Sequence, residues 1–274
     1  MGETFLTKTM QANQNMVLPD VQSSVDARNI AITRVGVRGI TLPVVIETQT
    51  GPQPSIAQLR LTVSLPADKK GTHMSRFIAL MEEYNTKPLN PTVMHEIMSV
   101  MLERLHATRG TIQIRFPFFV KKIAPVSKLE STMNYQAAWI VNCHNGTIIV
   151  EQETVVPVTS LCPCSKEISQ YGAHNQRSAL RSRVTLHAPL SLEEQIKISE
   201  LSASCQLWSR LKRADEKYVT EYAYDNPKFV EDLVRDMANA MQKDSRIDDF
   251  FVEAENFESI HNHSAYAYID SKFL

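Results

Sequence analysis

The sequence predicts an α+β protein in which antiparallel strands carry pairs of helices on one face. Three observations lead there. Long stretches alternate apolar with polar residues, other stretches repeat apolar residues every three or four positions, and no Gly-rich phosphate loop follows a strand. With only 8 glycines in 274 residues, a phosphorylated ligand would have to be met by side chains.

Residues 30–48 and 57–66 alternate and are rich in Val, Ile and Thr, which predicts two to three strands. A helix is expected over 75–84. Asn90 and Pro91 form a cap and a first-turn proline for a second helix, with Val93, Met94, Ile97, Val100, Met101 and Leu105 on its buried face. Strand character returns at 111–120 and 134–143, and Asn145-Gly146 is a two-residue hairpin turn into TIIVEQETVV. Residues 183–189 read as a strand that stops at Pro189. Ser191 and Glu194 make a capping box for the helix that follows. A last helix is expected over 226–243, starting at Asn226-Pro227, with Phe229, Val230, Leu233, Val234, Met237 and Met241 on one face. Strands near 248–256 and 263–270 close the chain. The order of strands, two helices and strands thus occurs twice. It suggests an N-terminal tail of residues 1–28 and two fused modules, 29–144 and 145–274.

A formal net charge of −1 supplies no bulk field for nucleic acid or an anionic membrane surface, so a small phosphorylated substrate fits better. Residues 1–29 are polar and broken by Pro19, unlike a secretory signal, and no stretch is apolar for the length of a bilayer. Cys143, Cys162, Cys164 and Cys205 do not resemble a secreted disulfide framework, which places the chain in a reducing cytoplasm.

The chemistry concentrates in residues 157–178, PVTSLCPCSKEISQYGAHNQRS. A thiolate and an imidazole are donors for zinc or a neighbouring transition metal, and a carboxylate from elsewhere would leave one position open for water. Spacing alone leaves open that Cys162 and Cys164 are small buried thiols and His174 a hydrogen-bonded loop histidine. A zinc nucleobase deaminase would need Pro-Cys-x-x-Cys, whereas one residue separates these cysteines. That same spacing makes an unstrained redox disulfide a poor reading.

The strings SLCPCSKEIS and YGAHNQRS, with GTHMSRF at 71–77 and ENFESIHNHSA at 255–265, resemble GTP cyclohydrolase type IB over nearly the whole chain. The resemblance implies the tunnelling fold in a two-module form and a homotetramer. It implies conversion of GTP to 7,8-dihydroneopterin triphosphate and formate, on the way to tetrahydrofolate, with one divalent metal (zinc, manganese or iron) per active site. By that resemblance Cys162, His174 and Glu216 are metal ligands, although Glu216, in the charged run RADEKYVTE, would by itself read as a solvated acid. Cys164 would lie beside the metal, as an acid-base group or as packing.

Glu231 is implied as a proton-transfer group, at the edge of an apolar helix face where partial burial would raise its pKa. Glu258 is implied as the guanine anchor, accepting paired N–H donors, with His261 as a neighbouring proton donor or orienting group. His73, Arg76, Lys121, Lys122, Lys166 and Arg177 are candidates for the triphosphate. Three other readings remain open here. They are an archaeal-type variant that releases a cyclic phosphate, the nitrile reductase of queuosine synthesis, whose lone-cysteine pattern is absent, and a non-catalytic metal-stabilised binding protein.

Overall fold

A computed structural model describes residues 20–274. The alternating stretches form strands β1 (Ile32–Ile46), β2 (Gln53–Leu65), β4 (Gly110–Ile123), β5 (Glu130–His144), β6 (Thr147–Leu161), β7 (Asn175–Leu186), β9 (Ile247–Asn256) and β10 (Ala265–Asp270). Two-residue strands β3 (Pro88–Leu89) and β8 (Cys205–Gln206) lie at the margins. All ten join one sheet in the order β10-β9-β7-β6-β5-β4-β2-β1-β3, with β8 pairing β6. The long pairs are antiparallel, as expected, and only β3 runs parallel to its neighbour β1.

Side chains two apart on a strand share a face, and here that rule separates the core from solvent. On β4, Ile112, Ile114, Phe116 and Phe118 are buried while Arg115 and Phe119 are exposed. The inward residues join one hydrophobic cluster with α1 (Met74–Tyr84), α2 (Pro91–Arg104), α4 (Leu192–Leu201) and α6 (Val230–Gln242). Arg115, Glu151, Glu153, Arg181, Arg183 and Glu253 occupy the alternate positions and pair with one another across the strands. The helices therefore cover one face, and charge covers the other.

The caps follow the sequence signals. Asn90 Oδ1 accepts the Val93 amide at 2.8 Å, and Ser191 and Glu194 close their capping box. Asn145 and Gly146 take φ of 52° and 81° in the β5–β6 hairpin, the left-handed pair such a turn requires. Gly39, at φ 75°, sits where the β1–β2 register shifts, so residues 30–48 give one bulged strand and not two.

Two expectations are corrected. The last helix begins at Val230, because the Asn226 amide is used to donate to Ala203 O and Ser204 O and the Lys228 amide donates to Leu161 O. Phe229, expected on its apolar face, is the exposed residue before the first turn. The cysteine loop contains a short helix, α3 (Pro163–Ile168), and the charged run RADEKYVTE, to which the sequence assigned no element, opens α5 (Arg213–Asp225). Residues 1–19 of the expected tail lie outside the described residues. The part that is described, from Asp20, bonds to the loop before α1 through Gly71 N to Gln22 O and Asp26 N to Asp68 O.

Candidate functional site

The site is built on the β6–β7 hairpin. Its ladder runs through Ser160 opposite Gln176 and Leu161 opposite Asn175, and the Cys162 amide then donates to His174 O at 3.1 Å. Strand register alone therefore sets Cys162 beside His174, although eleven residues separate them in sequence. Pro163 opens α3 at its first position, and Cys162 caps it, Sγ accepting the Ser165 amide at 3.4 Å. Ser165 Oγ accepts the His174 amide at 3.1 Å and donates to Cys162 O at 3.2 Å, closing the loop on itself. Cys162 and His174 are half-buried, and Cys164 is exposed.

Beneath His174 the inward positions turn polar. His174 Nδ1 lies 3.0 Å from Gln176 Oε1, Gln176 Nε2 donates to Ser160 Oγ at 2.7 Å, Ser160 and Ser178 hydroxyls are 2.8 Å apart, and Ser178 Oγ donates to Asn256 Oδ1 at 2.7 Å. Gln176, Ser160, Ser178 and Asn256 are all buried. Asn256 ends β9, and the Phe257 amide donates to Arg177 O at 3.0 Å, so the 257–264 loop starts against β7. Ser259 Oγ reaches 3.5 Å from His174 Nδ1. Glu258 stands half-buried between these two anchor points, and His261 is exposed and stacked on His263 at 5.0 Å.

Other expected residues are placed around or away from this centre. Lys166 Nζ donates to Tyr224 O at 2.5 Å and lies over the Tyr224 ring, tying α3 to the end of α5. The 226–229 link is tied to β6 by the Lys228–Leu161 bond, which brings the start of α6 and Glu231 to the Cys162 end of the strand. Glu231 is exposed there, so the partial burial expected of it is not found in the single chain. Arg177 is exposed on the charged face of the sheet.

His73 and Arg76 stand at the start of α1, against β1, with His73 Nε2 3.4 Å from Asp20 and Arg76 Nη1 on Arg104 O. β1 lies four strand positions from β6, about 19 Å at ordinary strand spacing. One chain therefore does not bring them to the hairpin. Lys121 pairs with Glu130 at 2.9 Å. Lys122 is a correction, being turned inward and buried, with Nζ bonded to Glu200 and to Leu207 O.

The three expected metal donors are not all gathered. Among the described residues no group of three or more His, Cys, Asp and Glu side chains lies close enough to hold a metal ion. Cys162 and His174 fit such a role, since Gln176 lies against Nδ1 and no hydrogen bond among the described residues engages Nε2. Glu216 is exposed in the first turn of α5, eight residues before Tyr224 and so about 12 Å along the helix from it. The adjacent Asp215 explains the placement. It is buried and accepts from Val126 N, Ser127 N, Ser127 Oγ and Lys212 N at 2.6–2.9 Å, fixing the start of α5 to the 126–127 turn.

A family model described as type I GTP cyclohydrolase folE2 matches residues 18–267. The chain belongs to this cyclohydrolase family. It is 53% identical over 261 residues to "GTP cyclohydrolase FolE2" of Paraburkholderia xenovorans, covering 95% of this chain and 97% of the relative. The same name is carried by a Cupriavidus pinatubonensis protein 54% identical over 258 residues, covering 94% and 95%. Among solved structures, a hyperthermostable mutant of Bacillus sp. TB-90 urate oxidase superposes with TM-score 0.51 at 8% identity, covering 89% of this chain and 100% of that one. Another urate oxidase structure from that source gives 0.50 at 8% identity, covering 87% and 98%. At such identities the likeness shows the fold alone, which is the tunnelling fold.

In this cyclohydrolase, sequence reasoning missed Gln176, Ser160, Ser178, Asn256 and Asp215. A signal for the first three was present. Val156, Val158 and Leu180 set the inward parity of β6 and β7, and Ser160, Ser178 and Gln176 continue it with polar residues. Asp215 had no such signal, because RADE opens a helix whose mean character is polar throughout.

Proposed function

We propose that the chain hydrolyses GTP to 7,8-dihydroneopterin triphosphate and formate, in the route to tetrahydrofolate, at the β6–β7 hairpin end. The observation that carries this reading is the convergence of Cys162 and His174 with the Glu258 loop on one hairpin of a chain whose relatives are named GTP cyclohydrolases. Cys162 Sγ and His174 Nε2 would hold a divalent metal, zinc, manganese or iron, and Glu216, the third donor the family resemblance implies, would have to be brought to them from the exposed start of α5. When bound, the ion supplies a water made nucleophilic at neutral pH.

The chain's own residues do the rest. Glu258 accepts the ring N–H and exocyclic amine of guanine, a geometry that selects guanine over adenine. Glu231, beside the Cys162 end of β6, moves protons during ring opening, with Cys164 and His261 exposed at the same end as alternative carriers. Arg177 meets the triphosphate.

A homotetramer completes the site in this reading. Ile168, Tyr171, Phe257 and Ile260 are 83%, 97%, 49% and 63% exposed around the hairpin, a density of bare apolar side chains that suits burial against another subunit. His73 and Arg76, out of reach within one chain, would then come from the partner. We divide the chain at the Asn145-Gly146 turn into modules 29–144 and 145–274, the second carrying the metal donors. The strand order supports this, since β1-β2-β4-β5 and β6-β7-β9-β10 are each contiguous in the sheet and meet at the β5–β6 pair. No helix among the described residues is long and apolar enough to cross a membrane, and the proposed location is cytoplasmic.

Incubation of the metal-reconstituted protein with GTP tests the reading by release of formate and of a pterin that fluoresces after oxidation. A product retaining an open triphosphate supports it, a cyclic phosphate assigns the archaeal-type reaction, and absence of formate refutes it.

A further inference from the structure

We infer that Gln176 is a positioning residue that fixes His174 as its Nδ1–H tautomer, and that Ser160, Ser178 and Asn256 fix Gln176 in turn. The inference rests on the hydrogen-bond chain and deepens the metal-binding reading of His174. The row takes one sense from its far end, where Asn256 offers its carbonyl oxygen to Ser178. Gln176 presents its carbonyl oxygen to His174 Nδ1 at 3.0 Å, so Nδ1 carries the proton and Nε2 keeps a lone pair.

The amide is held that way because its NH2 donates to Ser160 Oγ at 2.7 Å. Ser160 then has its own proton for Ser178 Oγ at 2.8 Å, and Ser178 gives its proton to Asn256 Oδ1 at 2.7 Å. Rotating Gln176 alone would set a donor against Nδ1–H and face Ser160 with an acceptor while its proton is given to Ser178. Such a mismatch inside the core leaves buried groups unpaired, which is costly. Gln176 is 6% exposed, Asn256 3%, and both serines 0%, so water is not there to repair it.

The chain also has an address. It starts under the imidazole and ends at Asn256, two residues before Glu258, whose loop is pinned by the Phe257–Arg177 bond. One row of hydrogen bonds thus sets both the orientation of a metal donor and the base of the loop proposed to hold guanine. A purely structural row would have no need to end on a half-buried imidazole with one nitrogen left unpaired. Partners of this kind, behind a metal-binding histidine, typically change metal affinity or activity by 10–100-fold when removed.

The test uses metal-free, 15N-labelled full-length protein at a pH where the ring is neutral, with His174 assigned from the resonance missing in His174→Gln. Long-range 1H–15N correlation should show the Nδ1–H form in the natural protein and its loss in Gln176→Leu. Zinc affinity, measured with zinc alone against a competing chelator, should fall about 10–100-fold in Gln176→Leu. It should fall less in Gln176→Glu, which retains an acceptor for Nδ1–H. Ser160→Ala, a smaller change two links away, should show the same loss of tautomer in milder degree and keeps the test available if Gln176→Leu does not fold. An Nε2–H form in the natural protein, or a Gln176→Leu protein with unchanged tautomer and zinc affinity, overturns the inference. If the natural protein shows Nδ1–H but binds no zinc, the metal reading falls while the tautomer assignment stands.

Discussion

Glu200→Gln is expected to destabilise the fold by about 3–5 kcal/mol, the range for removing one partner of a buried ion pair. Lys122 and Glu200 side chains are 8% and 11% exposed and meet at 2.7 Å. Tyr135 donates to the same carboxylate oxygen at 2.6 Å, and Lys122 also bonds Leu207 O at 2.7 Å and lies over the Trp208 ring. β4 and β5 thereby grip α4 and the segment after β8, so the pair clamps the two halves of the chain. In the variant an amide still accepts from Tyr135, but the ammonium keeps a charge with no counter-ion in a nearly dry site.

Burial already lowers the Lys122 pKa against the opposing pull of Glu200. Losing Glu200 removes that pull, and the folded-state pKa drops further. Between that value and the unfolded value near 10.5 the unfolded chain binds more protons, so stability rises with pH. The variant's deficit should therefore shrink toward alkaline pH. Lys122→Met should cost a similar amount, and the double variant less than the sum by about 2 kcal/mol. Urea titrations of the four proteins at neutral and alkaline pH measure all of this. Additive effects within about 0.5 kcal/mol, or a deficit independent of pH, would refute the clamp.

Cys162→Ala should lose bound metal and GTP turnover together, since two donors are too few to retain the ion, and metal analysis beside the formate assay checks it. Glu231→Gln should keep metal and GTP affinity yet lose turnover by about a hundred- to ten-thousand-fold. Near-normal turnover with an unshifted pH–rate profile would make it an ordinary exposed helix carboxylate, worth under about 0.5 kcal/mol. Asp215 bears on acid stability. Burial acts to raise its pKa, but the bonds from Ser127, Lys212 and Val126 prevail and hold it well below the ordinary 3.8. The stability it contributes is complete above that value and is lost as pH falls through the lower folded-state value, so Asp215→Asn should show a flatter acid limb below about pH 4 in thermal melts.

What was legible in the sequence follows the range of the forces involved. Period-two and period-3.6 patterns are local consequences of burial, and they marked most of the long strands and helices α1, α2 and α4, whereas β7 was caught only at its 183–186 end because it begins at Asn175, inside the cysteine string. The start of α6 was misplaced because Asn226 and Pro227 imitate a cap, while the true use of the Asn226 amide lies more than twenty residues away, on Ala203 and Ser204. α5 was missed for a related reason. Its buried residues are only Asp215 and Ala223, so no apolar stripe marks it. The cysteine motif was visible as a dense string, yet its partners were not, because the Cys162–His174 contact and the Asn256 link are fixed by register between β6, β7 and β9.

The two halves show where chemistry can be placed on a repeated architecture. In the first half the inward positions of β2 and of β4 up to Phe118 include Leu59, Leu61, Val63, Ile112, Ile114, Phe116 and Phe118, an apolar wall that owes its stability to area removed from water. In the second half the same parity on β6, β7 and β9 holds Gln152, Thr154, Ser160, Gln176, Ser178, Ser182 and Asn256, all buried. Each of those would cost free energy if unpaired. They are paired, and in two sets. Gln152 bonds Trp139 and Gln195, and Gln195 bonds Ser182, which meets Thr154, holding α4 to the sheet. The other set runs from Asn256 to His174. Hydrophobic packing is non-directional, whereas a hydrogen-bonded row fixes orientation to within a few tens of degrees. The row from Asn256 to His174 lies wholly in the second half, the half proposed to hold a thiol, an imidazole and a carboxylate loop at set angles to one another.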